Sequence, residues 1–334
     1  MKQPVLSVLI VGCGNIGGGF DQTRSRTDWP LSHAGAYARH GGFRVTACAD
    51  PDVTRRKAFQ RHWGVRTAFD SCAQATSSGE RWDIVSICSP TANHFGDLMI
   101  ALQAHPRLIF CEKPLSPTAI EAEAIVQACA AAGVLLAVNH TRRWAPDIRE
   151  LGRQLAAGGH GELRGASARY SKGILNNGSH LVDLLSLWLG PLSLLSAGHA
   201  FSDFWPDDPT VPALLASGSG AGISIGCAHA TDYSLFEVEL VTSTAVIAME
   251  DGGLAWRLRL PGPSAQFAGY RALDGGRRLP GRYMEAMTGA AHNIYDAVMK
   301  DSPLLSTGVT ALEAQRLCES IRAAAPAPTR SANP

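Results

Sequence analysis

The sequence is short of charge imbalance, of long apolar runs and of paired cysteines. Lys and Arg total 30 against 29 Asp and Glu, a net charge of +1 over 334 residues. A near-neutral chain with no basic block and no regular interleaving of aromatics has no electrostatic footprint for nucleic acid, so nucleic acid is not expected as a partner. No stretch approaches the ~18 consecutive apolar residues that span a bilayer, so no membrane association is expected. Met1-Lys2 followed by Val5 to Val11 superficially resembles a signal sequence. Its apolar stretch is short and runs into glycines rather than a cleavage site, so it reads as a first strand. The eight cysteines (13, 48, 72, 88, 111, 129, 227, 318) contain no Cys-x-x-Cys pair. Several sit in apolar, strand-like runs where a thiol behaves as a small hydrophobe, which argues against a structural metal and favours a reducing cytoplasm. There is no internal repeat. What is present is 46% hydrophobic residues in a chain long enough for two cores.

The β-branched run Val5 to Val11 leads directly into Gly12-Cys13-Gly14-Asn15-Ile16-Gly17. Gly-x-Gly-x-x-Gly at a strand end is the dinucleotide fingerprint: a tight turn, a close approach to pyrophosphate, and close helix packing. The amides that follow, Asn15 and Ile16 among them, are donors for phosphate. A second strand, Arg44 to Ala49, ends at Asp50, whose carboxylate can accept from both ribose hydroxyls and would repel a 2′-phosphate. This favours NAD over NADP. Asp50 lies 33 positions after Gly17, whereas ~20 is usual. The excess sits in the polar, glycine-rich segment 18–30, read as a loop that covers the cofactor or reaches the substrate, with Arg24 and Arg26 available for a second phosphate, or else makes a surface excursion. A helix is expected over Ser32 to Arg39.

Further β-α units follow. Trp82 to Cys88 reads as a strand ending in Ser89-Pro90-Thr91-Ala92-Asn93-His94, with Thr91 or Asn93 available to cap a helix over Phe95 to Gln103. Leu108 to Cys111 is an apolar strand ended by Glu112-Lys113-Pro114, which puts a lysine at the carboxyl edge of a doubly wound sheet, where such sheets bind ligands. A helix over Pro117 to Ala132 and a strand over Val134 to Val138 complete the alternation, and the polar segment Asn139 to Trp144 marks a boundary. Beyond it, Glu162 to Tyr170, Gly222 to Ala228, Ser234 to Val241, Thr244 to Glu250 and Leu254 to Leu260 read as strands in succession, hence a mainly antiparallel sheet. Helices are expected over His180 to Leu189, Tyr283 to Lys300 and Thr310 to Ala323.

Taken together, GCGNIG, ACADPD, SPTANH, CEKP, NHTRRWAP and GSHLVDLL resemble the Gfo/Idh/MocA oxidoreductases, named for glucose-fructose oxidoreductase and inositol dehydrogenase. The resemblance implies an α/β protein: an N-terminal Rossmann domain with a doubly wound parallel sheet (1–144), then an α/β domain with an open, mainly antiparallel sheet for substrate binding and oligomerisation (145–323), then a disordered tail (324–334). It implies NAD-dependent interconversion of a hydroxyl and a ketone on a sugar. ILNNGSH resembles the subgroup acting on nucleotide-linked sugars, so the expected partner is a sugar or nucleotide-sugar and the expected assembly a homodimer or homotetramer.

Hydride leaves carbon only as the hydroxyl proton is removed, so the reaction needs a base within hydrogen-bond reach. His180 suits that task, and Lys113 is suited to hold the oxygen and stabilise developing alkoxide charge. Asn176, Asp183 and Arg143 are candidates for substrate binding. Gly12, Gly14, Asn15, Ile16, Asp50, Ser89, Pro90, Asn93, His94, Glu112 and Lys113 are candidates for cofactor binding. The family commonly carries aspartate four residues before the histidine. Here that position is Asn176, which cannot compensate an imidazolium. A noncatalytic dinucleotide-binding protein, and an enzyme that uses tightly held NAD for transient oxidation during elimination or glycosidic cleavage, therefore stay open as alternatives.

Overall fold

The structure, a computed structural model, describes residues 4–326. The chain divides into two compact units, Met1–Trp144 with Met284–Leu312, and Ala145–Tyr283 with Glu313–Pro334.

The N-terminal unit alternates strands with helices: β1 Leu6–Val11, α1 His33–His40, β2 Phe43–Ala49, α2 Val53–Trp63, β3 Thr67–Phe69, α3 Cys72–Ser77, β4 Ile84–Ile87, α4 Thr91–Leu102, β5 Leu108–Cys111, α5 Ala119–Ala131 and β6 Leu135–Val138. The six strands are parallel in the order β3-β2-β1-β4-β5-β6, the doubly wound arrangement expected. Successive residues of each strand feed opposite layers. Leu9, Val85 and Ile109 enter one core, and Val8, Ile10, Ile84 and Phe110 the other. That is why β5 and β6 read as unbroken apolar runs and β1 and β4 as runs broken only by a serine.

The insertion has a simple structural description. His33 donates its backbone N–H to the Ile16 carbonyl at 3.0 Å and Ala34 donates to Gly17 at 3.0 Å. These partners are 17 residues apart, and the 13 residues from Gly18 to Pro30 separate a pair that would otherwise be four apart, the spacing of an α-helical ladder. The first crossover helix is therefore spliced, and the insertion is looped out from its side. Without those 13 residues Asp50 would stand 20 positions after Gly17. The loop is pinned where it rejoins. The Asp21 carboxylate accepts the N–H of Leu31 at 3.0 Å and of Ser32 at 2.9 Å, together with the Ser32 hydroxyl, while Ser32 caps α1 through Gly35 N–H. Arg39 holds the carbonyls of Thr27 and Asp28, so the loop runs back along α1.

The second unit contains α6 Pro146–Ala156, β7 Leu163–Tyr170, α7 Ser179–Leu189, β8 Leu192–Ala197, β9 Phe201–Trp205, β10 Asp208–Thr210, β11 Ala213–Ser217, β12 Gly222–Cys227, β13 Phe236–Thr242, β14 Val246–Glu250, β15 Ala255–Arg259, β16 Pro261–Pro263, β17 Arg271–Leu273 and β18 Arg277–Pro280. Eight of them form an open sheet in the order β18-β15-β14-β13-β7-β12-β11-β8, antiparallel except where β12 runs parallel to β7. The mainly antiparallel sheet expected from sequence is present. β8, β11 and β18 are additions: the small and mixed residues of β8 and β11 give no clear alternation, and β18 is only four residues long.

Two helices close the chain, α8 Ala286–Lys300 and α9 Gly308–Ala324. Residues 145–323 do not form one continuous unit, because Met284–Leu312 group with the N-terminal one. The reason is packing. Met287, Ala291, Ile294 and Tyr295 of α8 share a core with Tyr37 and Phe43, Trp144 donates to Asn293 at 3.0 Å, and the Tyr295 hydroxyl donates to the Pro4 carbonyl at 2.9 Å. Pro90, rather than Thr91 or Asn93, stands at the N-cap of α4, and no side chain caps that helix. The tail expected to be disordered from residue 324 lies outside the described residues from 327 onward.

Deleting Gly18–Pro30 so that Gly17 joins Leu31 should leave a continuous helix. The shortened protein is expected to unfold in urea with a stability within about 1–2 kcal/mol of the parent, because only a loop and its anchoring bonds are lost. Loss of cooperative unfolding would show that the splice is not a simple excursion.

Candidate active site

The carboxyl ends of β1, β2 and β4 surround a crevice of about 600 Å³. Gly12, Gly14, Asn15, Ile16, Asp50, Ser89, Pro90 and Asn93 all line it. The three fingerprint glycines meet three different surroundings. Gly12 has φ +95°, and a Cβ there would lie 2.5 Å from the Cys88 backbone. At Gly14 no atom lies within 4 Å of where a Cβ would stand, leaving open space on the crevice wall. At Gly17 a Cβ would meet the Gly12 carbonyl oxygen at 2.2 Å. A turn, an open approach and a close contact are what a pyrophosphate on a helix start demands, so these residues fit a dinucleotide.

Asp50 is 5% exposed and braces the turn from below. Its Oδ2 accepts the Cys13 N–H at 2.8 Å and its Oδ1 the Asp52 N–H at 2.8 Å. Arg55 stands 3.7 Å from the same carboxylate and also lines the crevice. Arg55, Phe20 and the Asp70-Ser71-Cys72 corner were not expected from sequence. The corner follows β3, a strand of only three residues and too short to show a period. Arg24 and Arg26 line a different cavity with Arg39, His62 and Trp63. They are not cofactor-side groups, because the Asp21 and Arg39 anchors carry the loop away along α1.

At the end of β4, the Ser89 hydroxyl donates to Asp97 at 2.6 Å. Burial raises the Asp97 carboxyl above its ordinary range, against the opposing pull of Ser89 and the nearby His94. His94 does not stand in a turn facing the crevice. It lies in α4, 1% exposed, with Nδ1 2.9 Å from the Pro114 carbonyl and Nε2 2.8 Å from that of Ser89. It therefore ties the strand end after β4 to the one after β5.

On the other side of Lys113, Glu112 is turned into the protein. Its Oε1 accepts from His33 Nε2 at 2.9 Å and from Asn139 Nδ2 at 2.6 Å, and Asn139 in turn accepts the Thr141 hydroxyl at 3.0 Å. A carboxylate can only accept, so His33 carries its proton on Nε2. The imidazole is fully buried and stacks on Phe110 at 4.1 Å. Burial pushes the Glu112 carboxyl up, but the His33 and Asn139 donors and the Lys113 charge outweigh it and hold the group below its ordinary value. Lys113, half-buried after β5 at a cis peptide to Pro114, is thus flanked by two braced neighbours. Arg143 is 8% exposed and donates to the Leu305 carbonyl at 3.3 Å.

In the second unit, His180 and Asp183 lie one turn apart on α7, His180 half-buried and Asp183 1% exposed. The helix is preceded by a π-helical turn, Gly173–Gly178, which contains Asn176. That turn is held by buried carboxylates. Asp208 accepts the N–H of Leu175 at 2.8 Å and of Asn176 at 2.7 Å, and Asp203 accepts the Lys172 N–H at 2.7 Å and the Thr210 hydroxyl at 2.7 Å. The Asn176 amide donates to the Lys172 carbonyl at 3.1 Å. Among the described residues no cluster of three or more His, Cys, Asp or Glu could hold a metal ion, and no helix is long and apolar enough to cross a membrane.

Residues 6–140 match the Gfo/Idh/MocA model, described as an oxidoreductase family with an NAD-binding Rossmann fold. That match covers 135 of the 334 residues. The chain is similar to a D-apiose dehydrogenase of Paraburkholderia graminis, 28% identical over 60% of this chain and 58% of that protein. It is also similar to a D-glucoside 3-dehydrogenase of Escherichia coli, 27% identical over 51% and 44%. The chain thus spans about half the length of these curated relatives. Over nearly its full length it shares the fold of levoglucosan dehydrogenase solved with NADH, with a TM-score of 0.80, 15% identity and coverage of 96% and 97%. It likewise shares that of a 3-ketoreductase from Actinomadura kijaniata solved with NADP, with a TM-score of 0.73, 20% identity and coverage of 98% and 99%.

Within the matched segment, Gly12→Ala should abolish NADH binding in a fluorescence titration, because the methyl group meets backbone that cannot yield. Glu112 contributes stability above its unfolded-state value that is lost as the pH falls through its lower folded value. In urea unfolding from about pH 6 to about pH 3, Glu112→Gln should therefore show a shallower loss of stability than the parent. An equal slope in both proteins would contradict the depressed carboxyl.

Proposed function

We propose that this protein is an NAD-dependent oxidoreductase interconverting a hydroxyl and a ketone on a sugar, with a nucleotide-linked hexose as the preferred substrate. The observation that carries the reading is Lys113 at the carboxyl end of β5, adjacent in the sheet to β4, one of the strands whose ends form the dinucleotide crevice. The nicotinamide, when bound, supplies the hydride acceptor or donor. Lys113 binds the reacting oxygen and stabilises alkoxide charge as it develops, and the Glu112 and His94 braces keep its backbone in place. His180 takes the hydroxyl proton during oxidation and returns it during reduction. Asn176, Asp183 and Arg143 are assigned to sugar binding. The names of the relatives, which act on apiose and glucosides, support a sugar, and the 3-ketoreductase solved with a TDP ligand supports the nucleotide-linked form. The protein is further proposed to work in the cytoplasm as a homodimer or homotetramer.

The test is reduced-nicotinamide absorbance in stopped flow with D-apiose, a methyl glucoside, scyllo-inositol and a TDP-hexose. Turnover of at least one is expected, fastest with the TDP-hexose. Lys113→Ala and His180→Ala should each lower kcat by about a hundredfold or more while NADH still binds. A folded Lys113→Ala protein with full turnover would sink the assignment. A signal that rises and decays within one turnover, without net NADH, would instead mark transient oxidation.

A further inference from the structure

The spliced helix leaves one large apolar side chain in the dinucleotide crevice that the proposed chemistry does not use. Phe20 belongs to the insertion, lines the crevice beside Gly14 and Asn15, and is 48% exposed. Its position is not loose. The Phe20 N–H donates to the Asn15 carbonyl at 2.9 Å, and the Gly18 and Gly19 amides both donate to the Gly14 carbonyl, at 3.2 and 3.0 Å. The segment that leaves the helix is therefore a continuation of the phosphate turn, and Phe20 stands about one helical turn beyond the amides that receive a phosphate. Gly19 packs closely there, since a Cβ would approach Asn15 Oδ1 to 3.0 Å.

We propose that Phe20 is a cofactor-retaining residue: its ring closes over the bound dinucleotide at the phosphate turn and slows release. This rests on the reading that the crevice takes NAD. An apolar ring half-exposed in the crevice buries surface only when the crevice is filled, so its contribution appears on binding and must be undone on release. A ring at the mouth of the turn also excludes water from the amide–phosphate hydrogen bonds, which strengthens them. The other conspicuous groups of the insertion, Arg24 and Arg26, line a separate cavity, so the retention is apolar rather than ionic.

The test is the release of NADH from the full chain in stopped flow, chased with excess NAD and followed by NADH fluorescence at low and high salt. Phe20→Ala should raise the dissociation rate about fivefold, the factor corresponding to losing burial of half a phenylalanine, with an association rate close to the parent's and the same ratio at both salt concentrations. Phe20→Leu should fall between the two, and serves if the alanine protein is poorly folded. Release from Phe20→Ala as slow as from the parent, or an effect that disappears at high salt, would overturn the inference and leave the crevice reading intact. A parent protein that binds no NADH would overturn both.

Discussion

The N-terminal unit depends on two hydrogen bonds across a gap in the chain, from His33 to Ile16 and from Ala34 to Gly17. They set α1 directly on the phosphate turn after a 13-residue excursion, with the bond spacing that a continuous helix would have if the excursion were absent. Without them the glycine turn would have no helix behind it, and the amides that receive phosphate would lose their common direction. Asp21 makes the rejoining specific. Its carboxylate takes the N–H of Leu31 and of the N-cap Ser32, just ahead of α1.

The same splice delivers His33 to the end of β5. Its imidazole holds Glu112 inward, Asn139 holds it from the side of β6, and His94 holds the Pro114 carbonyl. A lysine at a strand end is otherwise a long side chain on a short loop. Here both of its neighbours are committed to buried polar partners, so little conformational entropy remains to be lost in its backbone on binding. These bonds lie in a poorly hydrated setting, where each is stronger and each is costly to break.

The second unit solves a similar problem with carboxylates. A π-helical turn leaves amides that no i→i−4 ladder satisfies, and Asp208 takes two of them while Asp203 takes the one before. The Asn176 amide closes back on the Lys172 carbonyl and provides no charge. The negative charge at this turn comes from β9 and β10, some thirty residues further on in sequence.

Much of this architecture is legible in the amino-acid sequence. Mainly apolar runs of four to six residues mark β1, β4 and β5, because burial on both faces favours apolar side chains, and Gly12 and Gly17 mark the turn because a Cβ at either would meet backbone. The 33-residue interval to Asp50 is enough to locate the insertion. The path of the insertion is not legible: Arg24 and Arg26 read as phosphate ligands, whereas the bonds of Asp21 and Arg39 direct the loop along α1. Nor is the return of α8 to the first unit, which follows from a fit between Tyr295 and Phe43 that no local pattern encodes. Local composition and spacing determined the kinds of element and the dinucleotide turn, because those depend on a residue's own backbone and burial. Which buried polar groups meet, His33 with Glu112, His94 with two carbonyls and Asp208 with a distant turn, was decided only in the folded chain, because each partnership joins residues brought together by packing rather than by position in sequence.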